Sequence, residues 1–251
     1  MTKRSRASRS TSKISPTRDI CKRAMQSVLG SRADDAEWIK DRFSYLLTHV
    51  LDEAYDIYLR EQHPAAMSNL KALLTPYLPE EATADDVLRV MDDNFRLLDE
   101  FFLSLGQSRK SRAGKTFEYV MRDFFTALDY PHACQPVIDG KPDFLFPSKE
   151  HFGNNAMDCI IFTLKRTLKE RWRQITTEGT HGLGFYLATI DVDVPKKGLA
   201  EMASNRITLV VPSQVKRDEY SEAHNVMSFE HFFEHKLDPA MANWRATGVI
   251  R

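Results

Sequence analysis

Several absences narrow the class of this chain. Of its 251 residues only three are cysteine, Cys21, Cys134 and Cys159, and no two form a CxxC pair. A disulfide framework and a cysteine-rich zinc site are thereby excluded. No apolar run approaches the roughly 20 residues that a membrane-spanning helix needs. The basic N-terminus lacks the apolar stretch of a secretory signal, so a cytoplasmic protein is expected. The 35 basic residues are balanced by 35 acidic ones, so no global positive field announces nucleic acid. There is no internal repeat and no GxSxG nucleophile elbow. Ala113-Gly114-Lys115-Thr116 ends like a phosphate-binding loop, but that loop needs a glycine where Arg109 stands and a strand ahead of it. His231-Phe232-Phe233-Glu234-His235 fits the HxxEH zinc pattern. Phe229, Phe232 and Phe233 instead read as a helix packed on a core, and no third ligand is evident.

What is present is an uneven layout. Residues 1–18 hold six basic residues and no acid, which reads as a disordered tail or as an arm that adds phosphate contacts. Residues 19–106 read as helical. Apolar residues recur at helical spacing over Asp34 to Arg60, closed by His63-Pro64. A short helix follows to Leu74, stopped by Pro76 and Pro79, and a third, N-capped by Thr83, runs to Gly106. Gln107 to Lys115 reads as a polar, basic connector, and Thr116 to Leu128 as a further helix. Beyond it the pattern changes to short buried strands at Phe144–Phe146, Cys159–Leu164, Phe185–Ile190 and Ile207–Val211, with helices over Lys165–Thr177 and Gly198–Ser204. The expected fold is α/β, a mixed sheet flanked by helices with a helical N-terminal part. One domain is expected over 19–251, its catalytic α/β part spanning 107–251.

The chemistry concentrates between Lys141 and Glu178. Pro142 forces an extended entry, so Asp143 lies at the start of the Phe144–Phe146 strand. Lys165 ends the next strong strand. Neighbouring strands lie about 5 Å apart, so the two side chains could share one site for a metal ion and a phosphate. A divalent metal lowers the pKa of water and neutralises phosphate charge, and a lysine could position the attacking water and offset developing charge. Pro-Asp and a later Lys could equally be a turn and a solvated strand end. Lys169-Glu170-Arg171 follows closely. Arg and Lys donate to guanine N7 and O6 and Glu accepts from cytosine N4, so the triplet is chemically complete for a CC/GG dinucleotide, or else it is an exposed charge patch. Gln107, Arg109, Lys110 and Arg112 form a second candidate DNA surface. Gln107 could sense the minor groove while the cations hold phosphates.

The segment resembles the PD-(D/E)xK nuclease signature with one departure, since Thr163 occupies the place of the acid two residues before the lysine. That departure, the Ser111-Arg112-Ala113-Gly114-Lys115 and Lys141-to-Ser148 words, and Leu209-Val210-Val211-Pro212 and Met227-Ser228-Phe229 near the end together resemble the EcoRII/PspGI (CCGG-group) branch. In that branch the missing acid has moved to the following helix, where Glu178 matches it, and Glu118 matches a further acid. The resemblance covers roughly Gln107 to Phe233. It implies a restriction-endonuclease-like fold and a Mg2+-dependent homodimeric type II endonuclease. Asp143 and Glu178 would hold metal, with Lys165 and Glu118 completing the site. It also implies Lys169, Glu170 and Arg171 as readers of CC-N-GG or CC-W-GG, and a cognate DNA methyltransferase protecting host sites. Some members extrude the central base pair, for which Trp38, Arg42 and Tyr45 are candidates, although helical spacing reads Trp38 and Tyr45 as core. The length suggests an enzyme that acts as one dimer without an effector domain. The alternatives are a nuclease of another role, such as repair, and a sequence-specific DNA-binding module whose cleavage site has decayed.

Overall fold

The structure, a computed structural model, describes residues 14–138, 140–168 and 184–251. Among the described residues the first regular element is α1 (Thr17–Leu29), so the last two residues of the expected tail belong to a helix. From residue 19 on it falls in the part expected to be helical, where no separate helix was delimited before Asp34. Ile20, Cys21, Ala24 and Leu29 fall on one buried stripe, which the surrounding basic residues obscure.

Helix boundaries depart from the expected ones where local side-chain chemistry competes with the apolar period. The first long helix is split at Arg42 into α2 (Ala36–Asp41) and α3 (Phe43–Leu74). Pro64 does not end α3. It removes the donor that would bond the Arg60 carbonyl and crowds that carbonyl with its ring, yet the strong helix formers on either side carry the helix through. The third expected helix is split too, into α4 (Ala84–Asp93) and α5 (Phe95–Ala127). Thr83 caps α4 as expected, in a reciprocal capping box with Asp86. At the split, the Asn94 side-chain amide donates to the Val90 carbonyl at 2.8 Å and so competes with the backbone ladder.

The expected connector at 107–115 is helix throughout. Gly106 does not stop α5, because a single helical glycine costs only about 1 kcal/mol relative to alanine. Downstream, Phe117, Val120, Met121, Phe124 and Phe125 anchor the helix in the core.

The sheet of the described residues has six strands in sequence order: β1 (Ala133–Cys134), β2 (Phe144–Phe146), β3 (Ile160–Leu164), β4 (Gly184–Ala188), β5 (Ile207–Val211) and β6 (Val226–Ser228). β1, β2 and β3 are antiparallel, and β3 to β6 are parallel. The expected mixed sheet is therefore present, and the four expected strands match within two residues. The short β1 and β6 were not expected. α6 (Lys149–Asn154) precedes β3, α7 (Lys196–Ser204) links β4 to β5, and α8 (Ser213–Glu219) links β5 to β6. α9 (Phe229–Phe232), a π-helical turn and α10 (Asp238–Ala246) follow. Of the helix expected over Lys165–Thr177, Lys165–Leu168 is not helical and the remainder lies outside the described residues.

Alternation along the strands builds two cores. Phe144, Phe146, Ile160, Phe162, Leu164, Tyr186, Ala188 and Val210 face α1, α3, α5 and the C-terminal helices. Leu145, Ile161, Phe185, Leu187, Leu209 and Val211 face Leu199 and Met202 of α7 and Tyr220 after α8. Phe125 of α5 meets the Phe146 ring edge-on, with centroids 5.0 Å apart. This packing fixes the second half of α5 across the sheet, at the end where β2 begins and β3 finishes. No helix among the described residues is long and apolar enough to cross a membrane.

Candidate active site

Asp143 enters β2 behind the buried Pro142, as its sequence predicts, and is half-buried. Its Oδ2 accepts a hydrogen bond from the Leu164 amide at 2.7 Å, which ties the start of β2 to the end of β3. Lys165 is the next residue, and its own amide donates to the Ala188 carbonyl of β4 at 2.9 Å. Asp143 and Lys165 are thus brought together by strand pairing. Thr163 is buried in the sheet, two residues before Lys165 and on the same face of β3.

Glu118 reaches the same place from α5. Its Oε1 accepts from Gln135 Nε2 at 2.8 Å, and the amide of Gln135 donates to the Asp143 carbonyl at 2.8 Å. Gln135 thus bridges the two acids, from a backbone held at φ 46°. Nothing in the sequence flagged it. Burial raises the pKa of Glu118, and the Asp143 charge raises it further, against Arg122, Lys115 and the Gln135 bond. Burial also raises the pKa of Asp143, against the Leu164 amide and Lys165. Two carboxylates disfavoured as anions face one open cleft of about 600 Å³, whose walls include Lys110, Gly114, Lys115, Glu118, Asp143 and Lys165.

Among the described residues no group of three or more His, Cys, Asp or Glu side chains converges as a metal cluster. Asp143 and Glu118 are nonetheless the hard oxygen donors that magnesium takes, one or two carboxylates with the rest from water and phosphate. A bound cation would offset the cost of ionising both. The pair therefore fits the implied metal.

Glu178, Lys169, Glu170 and Arg171 lie outside the described residues. The turn leading to them is described. Leu168 is buried, and its amide donates to Asp191 Oδ2 at 2.7 Å. The Thr189 hydroxyl donates to the Arg166 carbonyl at 3.3 Å. Residues just past β4 thus hold Lys165–Leu168 from below. Asp191 and Thr189 were not singled out in the sequence, where a polar pair after a strand has no distinguishing pattern.

The four candidates on α5 divide between faces. Gln107 and Lys110 are exposed on the stripe that runs to Gly114 and Glu118. Arg109 and Arg112 turn toward the N-terminal helices. Arg109 Nε donates to Gln62 Oε1 at 2.8 Å, and Arg112 Nη1 donates to the Ser15 carbonyl at 3.1 Å, with its guanidinium 5.2 Å from the Tyr58 ring centroid. Trp38 packs partly buried against the core with Arg32 and Arg42 over its ring at 5.2 and 5.8 Å. Tyr45 is 61% exposed and stacks near His49, so it is not the core residue its spacing suggested.

A mixed sheet with an acid at the head of one strand, a lysine ending the next and a second acid on the preceding helix is the restriction-endonuclease fold. It superposes on metal-depleted Ecl18kI in complex with uncleaved, modified DNA with a TM-score of 0.81, at 19% identity over 94% of this chain and 81% of that one. A PspGI–substrate DNA complex matches with a TM-score of 0.67, at 18% identity over 92% and 94% of the two chains. The chain belongs to the EcoRII C-terminal family, whose model matches residues 79–233. In sequence it is 34% identical over 146 residues to the type II restriction enzyme EcoRII of Escherichia coli, covering 55% of this chain and 36% of that one. It is 26% identical over 149 residues to SsoII of Shigella sonnei, covering 54% and 48%. The match therefore spans about a third to a half of the length of these relatives.

Proposed function

We propose that this chain is a type II restriction endonuclease that hydrolyses both strands of duplex DNA at a short palindrome of the form CC-N-GG or CC-W-GG. The observation that carries the reading is the convergence of Asp143, Glu118 and Lys165 on one cleft at the open end of β2 and β3. Hydrolysis of a phosphodiester requires a placed water, neutralisation of the phosphate and a proton for the departing oxygen. Mg2+ supplies Lewis acidity at the phosphate and a more acidic water. Asp143 and Glu178 would hold it, with Glu118 assisting. Lys165, carried on the strand end that Asp143 clasps, orients the water and offsets developing negative charge without rearranging.

In this reading Lys169, Glu170 and Arg171 read the CC/GG half-site, and Gln107 and Lys110 contact DNA along the α5 wall of the cleft. Two-fold symmetry of the site calls for a homodimer, one protomer per half-site. Host DNA carrying the same sequence calls for a cognate methyltransferase. The exposed Tyr45 and the arginine-flanked Trp38 are the aromatic surfaces that an extruded central base would meet.

The test is digestion of plasmid DNA with Mg2+, comparing wild type with Asp143→Ala and sequencing the ends. Discrete fragments with one common end sequence, lost in the variant, support the enzyme. Specific binding without cutting supports a DNA-binding module instead.

A further inference from the structure

Gln135 has a backbone that its own chemistry and its neighbour disfavour. It stands one residue past β1, at φ 46°, and the buried Pro136 follows it. A left-handed φ crowds any residue that has a Cβ, and the residue before a proline is restricted further, toward extended conformations. Such a conformation persists only where surrounding contacts impose it. Two contacts do so here. The backbone N–H of Gln135 donates to the Asp143 carbonyl at 2.8 Å, and the side-chain Nε2 donates to Glu118 Oε1 at 2.8 Å.

The left-handed backbone decides which face of the sheet the side chain reaches. β1 pairs with β2 as Ala133 opposite Leu145 and Cys134 opposite Phe144, so the bond to Asp143 carries this ladder one residue further. On an extended backbone the Gln135 side chain would follow Ala133, which packs with Leu145 against the core on the α7 face. Glu118 belongs to the other face, on the helix whose Phe125 packs against Phe144 and Phe146. The turn at Gln135 sends its amide there.

The contact is chemically selective. A lysine or arginine in this place would pair with Glu118 and compensate its charge. A neutral amide fixes the carboxylate and leaves the charge uncompensated. Among the described residues no other side chain hydrogen-bonds to Glu118, so Oε2 has no protein donor there. Because Gln135 also holds the Asp143 carbonyl, the two acids of the cleft are joined by one short link.

We propose that Gln135 is the positioning residue of the metal site: it holds Glu118 through Oε1, at a spacing set against Asp143, and leaves Oε2 for a divalent cation in the cleft. The proposal rests on the metal-dependent nuclease reading above. Gln135 acts through Glu118 and touches neither the cation nor the DNA.

The test uses Gln135→Gly and Gln135→Asn. Glycine and asparagine both suit a left-handed backbone, so each keeps the turn. Glycine has no side-chain amide, and that of asparagine falls one methylene short of Glu118. A residue needed only for the turn would be replaced by either without effect. Instead, both should raise the Mg2+ concentration that gives half the maximal effect by about tenfold or more. That concentration is read from the cleavage rate on plasmid DNA and, without DNA, from the rise in melting temperature of the full chain. Circular dichroism and the KM for DNA should stay as in wild type. In a Glu118→Gln background, Gln135→Gly should shift the melting titration no further, since residues that act as one unit are not additive. An unchanged Mg2+ demand in both variants, or the same effect of Gln135→Gly with and without Glu118, overturns the proposal. The function can fail separately. A wild type that cuts no DNA, yet whose Mg2+ titration is weakened by Gln135→Gly, overturns the nuclease reading alone. A wild type that cuts with a Mg2+ demand indifferent to Gln135 overturns only the positioning role.

Discussion

The carboxylate of Asp143 holds the amide of Leu164 at 2.7 Å, and Leu164 is the residue directly before Lys165. One acid therefore serves twice, as an oxygen donor facing the cleft and as the clasp that sets the strand end bearing the lysine. Asp143→Asn keeps an oxygen that can accept from Leu164 but loses the charge. Cleavage should fall on the order of 10²-fold or more, with circular dichroism unchanged. Cutting at wild-type rate by Asp143→Asn would remove Asp143 from the chemistry.

The raised pKa values of Asp143 and Glu118 carry a signed consequence for stability. A carboxyl whose folded pKa lies above its unfolded value contributes stability below the unfolded value, near pH 4, and that contribution is lost as pH rises through the folded value. Glu118→Gln and Asp143→Asn stay neutral and keep it. Both should melt higher than wild type at pH 7.5, with the gain closing below about pH 4. Added Mg2+ should raise the wild-type melting temperature and do less for Asp143→Asn. A lower melting temperature at neutral pH for both variants would refute this account.

Lys110 and Arg112 stand two residues apart on α5 and should behave oppositely. Lys110→Ala should leave stability within about 0.5 kcal/mol and reduce the salt dependence of DNA binding by roughly one unit of slope. Arg112 is engaged with Ser15 and Tyr58. Arg112→Ala should cost about 1–2 kcal/mol of stability and leave the slope alone. Urea titration and binding isotherms over a range of salt separate the two.

Asp191 holds the Leu168 amide at the threshold of the Lys169-Glu170-Arg171 triplet. Asp191→Ala should cut discrimination between the cognate site and a site with one changed base by on the order of tenfold, about one buried hydrogen bond. Asp191→Asn, which can still accept, should restore most of it. If both variants lose rate equally on every sequence, the contact is merely structural.

The sequence carried the sheet well because buried strands write themselves as short β-branched and aromatic runs. Phe144–Phe146 and Ile207–Val211 were legible to the residue. β1 and β6 were not, since two or three residues make no period. Helix ends were legible where a side chain acts within one turn, as at Thr83, and illegible where a helix runs through a breaker, carried by strong helix formers at Pro64 and by downstream packing at Gly106. Asp143, Lys165 and Glu118 could be named because motif words surround them. Gln135 and Asp191 could not, because their roles depend on which loops the sheet brings side by side. Arg112 looked like its neighbour Lys110 because a charge run does not reveal which helix face it occupies.

The 33 residues of α5 run without interruption from Phe95 past Glu118. A rigid rod is also a gauge. Inserting one alanine between Gly106 and Gly114 would advance everything beyond it by about 1.5 Å and turn it by about 100°. The carboxylate could then keep its place over β2 only if the Phe95 end swung to a new bearing. Spacing along this helix is therefore as constrained as the identity of any side chain on it, and length changes in α5 should be far less tolerated than substitutions on its solvent face.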